Sequence, residues 1–221
     1  MSGEDRLRTY RGKRRFDRTG EPSGTRSRSA AGSGEPLFVV QIHDATTLHF
    51  DFRLEVDGVL KSWSVPKGPS LDPHDKRLAM PTEDHPLAYR TFEGVIPKGE
   101  YGGGTVIVWD QGTYLPVGHD RRGRPVPFAE SLRHGHARFE LRGAKLRGGF
   151  ALSRFRSGGD GEREAWLLVK TGSARAERDR PGTPDPHRAR SARSGRTLRQ
   201  VADDPDDVWE SDRPAKRGAR R

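Results

Sequence analysis

The 221-residue sequence contains no cysteine, which excludes a disulfide framework, a thiolate-ligated zinc site and a thiol nucleophile. Large apolar residues are scarce too, at 31% hydrophobic against the ~45–50% usual for globular chains counted with glycine. A single core running through the whole chain is therefore excluded. No apolar run approaches the roughly 18 residues that cross a membrane, and the opening stretch MSGEDRLRTYRGKRR has no signal-peptide apolar segment. A soluble, cytoplasmic protein is the expectation. There is no internal repeat and no strand–helix alternation of the doubly wound kind. The Gly-rich GEYGGGT at 99–105 lacks the Lys-Ser/Thr of a phosphate-cradling P-loop and reads as turn glycines.

What the chain has in excess is positive charge, +10 from 41 Lys+Arg and 31 Asp+Glu. That charge is unevenly placed. Residues 1–34 hold 9 basic and 4 acidic side chains, 173–221 hold 13 and 9, and 35–172 hold 19 and 18. Both ends are rich in Arg, Gly, Ser and Pro and poor in large apolar groups, a composition that cannot offset the entropy of ordering. The expected organisation is a basic N-terminal arm over 1–34, a folded domain over 35–172, and a disordered Arg/Pro/Gly-rich tail over 173–221. The basic ends could act as electrostatic tethers for nucleic acid.

Within 35–172 the apolar pattern has period two, the mark of half-buried strands. Leu48, Phe50, Phe52 and Leu54 alternate with His49, Asp51, Arg53 and Glu55, and Phe38, Val40 and Ile42 with Val39, Gln41 and His43. Asp57-Gly58 signals a tight hairpin. Further strands are predicted at 105–110, 137–143, 150–155 and 166–170, with one helical piece over 127–135 ending at Gly135. Many short strands with Gly- and Pro-rich turns predict a mainly β fold, a compact antiparallel β-barrel or sandwich with short helices.

The stretch QIHDATTLHFDFRLE carries the chemistry. On one strand His49, Asp51 and Arg53 share a face, and neighbours on that face are about 6.5–7 Å apart. His43 falls on the polar face of the preceding strand and could add a third ligand across the sheet. Two imidazoles and a carboxylate favour Mn, Fe, Co or Zn over Mg or Ca. Downstream, Lys67 sits on a stiff Pro-Lys-Gly turn, Lys76-Arg77 follow an Asp72-Pro73 turn, and His85 and Tyr89 lie in EDHPLAY. Lys and Arg on rigid turns suit phosphate oxygens. A metal triad with nearby cations and a spare His describes a phosphoester-cleaving site.

At these residues the sequence resembles the 3′-phosphoesterase module of bacterial DNA ligase D, which also occurs as stand-alone proteins. The resemblance spans about residues 10–171 and rests on FVVQIHDATTLHFDFRLEVDGVLKSWSVPKGPSLDPHDKRLA, EDHPLAY, FEGVIPKGEYGGGTVIVWDQGTY and KRRFDRTGEPSG. It implies a compact Mn²⁺-dependent β-barrel enzyme, with Co²⁺ as another usable metal, that trims 3′ ends in break repair. Such enzymes remove a terminal ribonucleoside and then the 3′-phosphate, leaving a ligatable 3′-OH. Implied partners are DNA or DNA/RNA 3′ ends at primer-template junctions, with a separate ligase, polymerase and Ku acting in trans on a nucleoid-associated monomer. Matched by motif, His43, His49 and Asp51 look like the metal ligands. Arg53, His85 and Tyr89 look like the groups around the scissile phosphate, with Lys67 and Arg77 as further phosphate contacts. Arg14, Glu21 and Glu83 match the remaining functional positions. The family's Lys-Arg-Asp-Phe reads Lys13-Arg14-Arg15-Phe16 here, so an acidic residue tied to the diesterase step is replaced by Arg15. The same match implies that residues 10–22 dock on the core.

On this reading His85, with an ordinary pKa near 6.5, serves either as general acid to the leaving oxygen or as a donor to the phosphate. Two other classes fit parts of the pattern. A non-haem Fe(II) oxygenase would use the same His-x-Asp plus distant His, with Arg53 holding an oxo-acid. A catalytically weak DNA-binding accessory of an end-joining ligase would keep the fold and lose the turnover.

Overall fold

In the computed structural model, which describes residues 6–24, 34–120, 122–159, 162–172, 183 and 185–204, the period-two segments become seven of nine antiparallel strands. The nine are β1 (Leu37–Asp44), β2 (Leu48–Val56), β3 (Val59–Val65), β4 (Lys76–Pro81), β5 (Gly94–Ile96), β6 (Gly104–Pro116), β7 (His136–Gly143), β8 (Arg147–Arg156) and β9 (Ala165–Lys170). Pairing runs β1-β2-β3-β4-β9-β8-β7-β6, and β6 returns to β1, which closes an eight-stranded barrel. The short β5 pairs with the start of β6 outside this ring. Closure removes the unpaired edges that an open sheet would expose.

The β2–β3 hairpin turns on Asp57 (φ 49°) and Gly58 (φ 80°), the left-handed pair that a two-residue turn between right-twisted strands requires. It registers Phe52 opposite Trp63 and Asp51 opposite Ser64. Helix α2 (Phe128–Arg133) fills the predicted helical stretch, and Gly135 (φ 81°) ends it with its N–H on Leu132 O. Strands β4 and β5 carry no period-two signal, because Lys76 and Arg77 sit side by side at the start of β4 and β5 is only three residues long.

Alternation along β1 and β2 separates two apolar clusters. Phe38, Val40, Ile42, Phe50, Phe52 and Leu54 join Trp63, Phe139, Phe150 and Leu168 in the barrel. Val39 faces the other way and packs with Leu7, Tyr10, Leu60, Leu87, Tyr89 and Phe92. The polar face of these strands is therefore covered. Helix α1 (Arg8–Gly12) and the stretch carrying a 3₁₀ turn (Leu87–Thr91) lie over it.

Residues 6–24 and 185–204 of the chain ends do not follow the disorder read from their composition. Residues 6–24 dock, more than the 10–22 implied by resemblance. Residues 185–204, expected to be part of a disordered tail, lie against the barrel. There Ala192 N donates to Val108 O at 2.8 Å, and Ser191 Oγ donates to the buried Glu93 carboxylate. Helix α3 (Leu198–Asp203) buries Leu198 and Val201 and starts on a capping box between Thr197 and Gln200. A few well-spaced apolar residues and a cap outweighed the charged composition. Residues 1–5, 25–33, 173–182, 184 and 205–221, where the rest of the basic arm and tail calls fall, lie outside the described residues. Among the described residues no helix is long and apolar enough to cross a membrane.

Candidate metal and phosphate site

The site lies on the outer wall of the barrel. His43 and His49 are direct cross-strand partners, and Asp51 follows two residues on along β2. One ligand atom from each lies within 4.8 Å of the others. His43 Nε2–H donates to Gly102 O at 2.8 Å and His49 Nδ1–H to Thr47 O at 2.8 Å. Those bonds fix both tautomers and leave lone pairs on His43 Nδ1 and His49 Nε2, 3.6 and 3.7 Å from the Asp51 carboxylate. Imidazoles that spend their second nitrogen on a carbonyl are the usual arrangement behind a bound metal. Burial alone would raise the Asp51 pKa, but Arg53 and the two histidines outweigh it and hold the carboxyl below the ordinary range. An ionised carboxylate with two oriented imidazoles fits a divalent transition metal.

Arg53, next on the same face, is 2% exposed. Its Nη2 pairs with Asp51 at 3.0 Å, Nη1 donates to Ser62 Oγ at 2.8 Å, and Nε donates to Gln41 Oε1 at 2.8 Å. Gln41 in turn donates to the carbonyls of Tyr89 and Phe92, so it ties Arg53 to the 3₁₀ turn. His85 is held by backbone bonds to Leu60 in both directions. Its Nδ1 lies 2.8 Å from Glu83 O, 2.9 Å from Arg53 Nη1 and 3.3 Å from Ser62 Oγ, and its Nε2 lies 3.2 Å from Arg14 Nη2. Burial, then Arg53, then Arg14 push its pKa well below the usual histidine value. The ring is thus neutral near pH 7, which corrects the ordinary pKa read from sequence.

The N-terminal segment supplies Arg14, whose Nε donates to Glu21 Oε1 at 2.8 Å and whose Nη1 donates to Glu83 Oε1 at 2.8 Å. Tyr89 OH donates to the same Glu21 oxygen at 3.1 Å, and burial followed by Glu21 pushes the Tyr89 pKa well up, so the phenol stays protonated. Tyr10 lies under the Arg14 guanidinium, 3.9 Å from ring centre to Cζ, with its hydroxyl on Pro22 O. Two segments, 6–24 and 82–89, are thereby tied to β2 by one charge network.

Of the predicted residues, His43, His49, Asp51, Arg53, His85, Tyr89, Arg14 and Glu83 line one cleft of about 170 Å³. Glu21 stands behind it through Arg14 and Tyr89. Lys67 and Arg77 are not brought there. Lys67 is exposed on the turn after β3. Arg77 shares the parity of the buried Ala79, opposite to Met80, whose partner Ser64 is on the Asp51 side of the sheet, and it pairs with Asp75 at 2.7 Å. Arg15 is exposed and does not line the cleft. Sequence reasoning missed Gln41, Ser62, Tyr10, Lys13, Tyr101 and the Gly102 carbonyl. For Gln41 the signal was its parity with His43. A larger groove of about 800 Å³ at Trp63 and Trp166 meets this cleft only at Thr82 and holds no such ligand triad.

Residues 41–154 match the family described as the DNA Ligase D 3′-phosphoesterase domain. The chain belongs to that family. The multifunctional non-homologous end joining protein LigD of Pseudomonas aeruginosa is 48% identical over 178 residues, 80% of this chain and 20% of that protein. The multifunctional non-homologous end joining DNA repair protein LigD of Mycobacterium tuberculosis is 45% identical over 150 residues, 68% of this chain and 18% of that protein. The chain thus spans about a fifth of the length of the curated relatives it matches. Every cleft residue from His43 to Gly102 falls within the DNA ligase D phosphoesterase match, whereas Arg14, Glu21 and the ordered segment 185–204 lie outside it.

Proposed function

We propose that this phosphoesterase-family chain is a Mn²⁺-dependent enzyme that removes 3′-phosphates from DNA ends during break repair, with 3′-ribonucleoside removal as a second activity. The observation that carries the reading is the convergence of His43 Nδ1, His49 Nε2 and the ionised Asp51 beside two buried guanidinium groups. Arg14, Arg53 and Lys13 are balanced by Asp51, Glu21 and Glu83, so a divalent cation there supplies the net positive charge and polarises a phosphoryl oxygen. Arg53 and Arg14 flank His85 and present N–H donors where charge develops on the transferring group. A phosphate dianion between these cations would offset the repulsion that lowers the His85 pKa, so that the ring donates a proton to the leaving 3′-oxygen as water takes up the phosphoryl group. Tyr89 and Glu21 hold Arg14 in register. Membership of the DNA ligase D 3′-phosphoesterase domain family favours this reading over the oxygenase alternative, which would use the same Arg53 for an oxo-acid.

The test is phosphate release from a primer-template with a 3′-phosphate, alongside the same duplex with a 3′-ribonucleoside, in Mn²⁺. We expect release from the first to exceed removal from the second, and Arg15→Asp to raise the second relative to the first. No release in Mn²⁺ or Co²⁺ would return the chain to a DNA-binding accessory role. Ku, ligase and polymerase in trans complete the proposed pathway.

A further inference from the structure

Tyr101 is the one aromatic side chain in the Gly-rich run 99–104 and lines the cleft. The loop that carries it makes two successive turns, Glu100 N to Pro97 O at 3.1 Å and Gly103 N to Glu100 O at 3.0 Å. Its glycines let the backbone lie directly on the metal-type cluster. The contact with the cluster is made by Gly102, whose carbonyl accepts from His43 at 2.8 Å, while Gly104 fits close to the end of β1, where a Cβ would come within 2.2 Å of Asp44 O. The ring is fixed three ways. Lys13 Nζ donates to its hydroxyl at 3.1 Å, that hydroxyl reaches Glu83 at 3.4 Å, and Lys13 and Arg14 lie 4.7 and 5.3 Å from the ring centre. Despite those anchors Tyr101 is 46% exposed. The other large exposed hydrophobic residues described, Leu78, Leu115 and Phe155, do not line the cleft.

The size of the cleft says what meets that ring. About 170 Å³ is below the ~300 Å³ at which pockets begin to engulf small organic ligands. It holds a phosphoryl group among Arg14, Arg53 and His85, and the nucleoside bonded to that group must leave past the rim. The rim carries Tyr101. We propose that Tyr101 is the stacking platform for the terminal nucleobase of the substrate strand, so that the enzyme grips the base as well as the phosphate at the end it processes. An aromatic face selects a base without regard to its identity, because every base has a π-face. Ends of any sequence are then accepted, and ends lacking the base are held less well. The inference rests on the phosphoesterase reading for the position of the phosphate.

The test uses the full chain with Mn²⁺ and a duplex whose 3′-phosphorylated terminal nucleotide carries either 2-aminopurine or no base. Binding of the 2-aminopurine duplex should quench its fluorescence in the native protein and in Tyr101→Phe, which keeps the ring, and quench it little in Tyr101→Ala. In turnover, native protein should show a KM about tenfold lower for the base-bearing end than for the abasic end, the scale of one lost base–aromatic stack. Tyr101→Ala should bring that ratio close to one. Equal quenching in Tyr101→Ala, or a native KM indifferent to the base, overturns the platform. A merely structural Tyr101 would change both substrates alike and leave the ratio in place. If native protein quenches 2-aminopurine but releases no phosphate, the phosphoesterase reading fails and the stacking stands.

Discussion

Strand β2 builds two unlike environments from neighbouring residues. Phe50, Phe52 and Leu54 enter a mainly apolar barrel core, where the buried Lys170 lies over the Phe150 ring, while His49, Asp51 and Arg53 enter a second layer in which a charge network adjoins the outer apolar cluster. Both layers are shielded from water, but by different means. The barrel closes on itself through strand pairing, whereas the outer layer exists only because residues 6–24 and 82–103 fold over it. The comparison teaches where stability and chemistry reside. Apolar packing supplies the first, and the covered ion network supplies preorganised donors that would be far weaker in water.

Changes on either side of β2 should therefore separate the two. Phe52→Ala opens a cavity in the barrel and should cost about 3–5 kcal/mol of stability, read by urea denaturation, while the folded fraction keeps its turnover. Arg53→Lys keeps the charge and loses the fork that serves Asp51, Ser62 and Gln41. Phosphate release should fall about 100-fold, with a smaller loss of stability than Phe52→Ala. An inverted pattern between these two variants would break the comparison. Ending the chain at residue 182 removes the buried Leu198 and Val201 and the Ser191 bond to Glu93. A loss of about 2–3 kcal/mol is expected, and an unmoved melting temperature would return this segment to the role of a mere tail.

The smallest of these effects is set by pH. His85 has a lower pKa folded than unfolded, so between those values the unfolded chain binds more protons, and stability rises with pH. The stability is fully present above about pH 6.5 and falls by up to ~1.4 kcal/mol per unit below it. Denaturation at pH 7.5 and 5.5 should show that fall in the native chain and a shallower one in His85→Asn.

The β2 triad was legible because a strand fixes which residues share a face, and no tertiary information is needed for that. His43 was legible for the same reason once a neighbouring strand was assumed. Arg77 was misplaced because its chemistry suits phosphate while its parity on the unrecognised β4 points it to the other side. Tyr101 could not be read, since only the fold brings a Gly-rich turn over the mouth of the cleft. The segment 185–204 was hidden by its charge, although Thr197-Leu-Arg-Gln200 already spelled a capping box. Neutral His85 lay beyond reach, because its pKa is set by two guanidinium groups from distant parts of the chain.

The central claim is that His43, His49 and Asp51 hold one catalytic cation on the outer wall. Its most direct test titrates Mn²⁺ into the native chain and His49→Ala, following bound metal by electron paramagnetic resonance and 3′-phosphate release in the same samples. One Mn²⁺ should bind per native chain, with turnover rising in step. The folded variant should bind Mn²⁺ weakly and release phosphate at least about 100-fold more slowly. Full activity in His49→Ala, or turnover that ignores the metal, would contradict it.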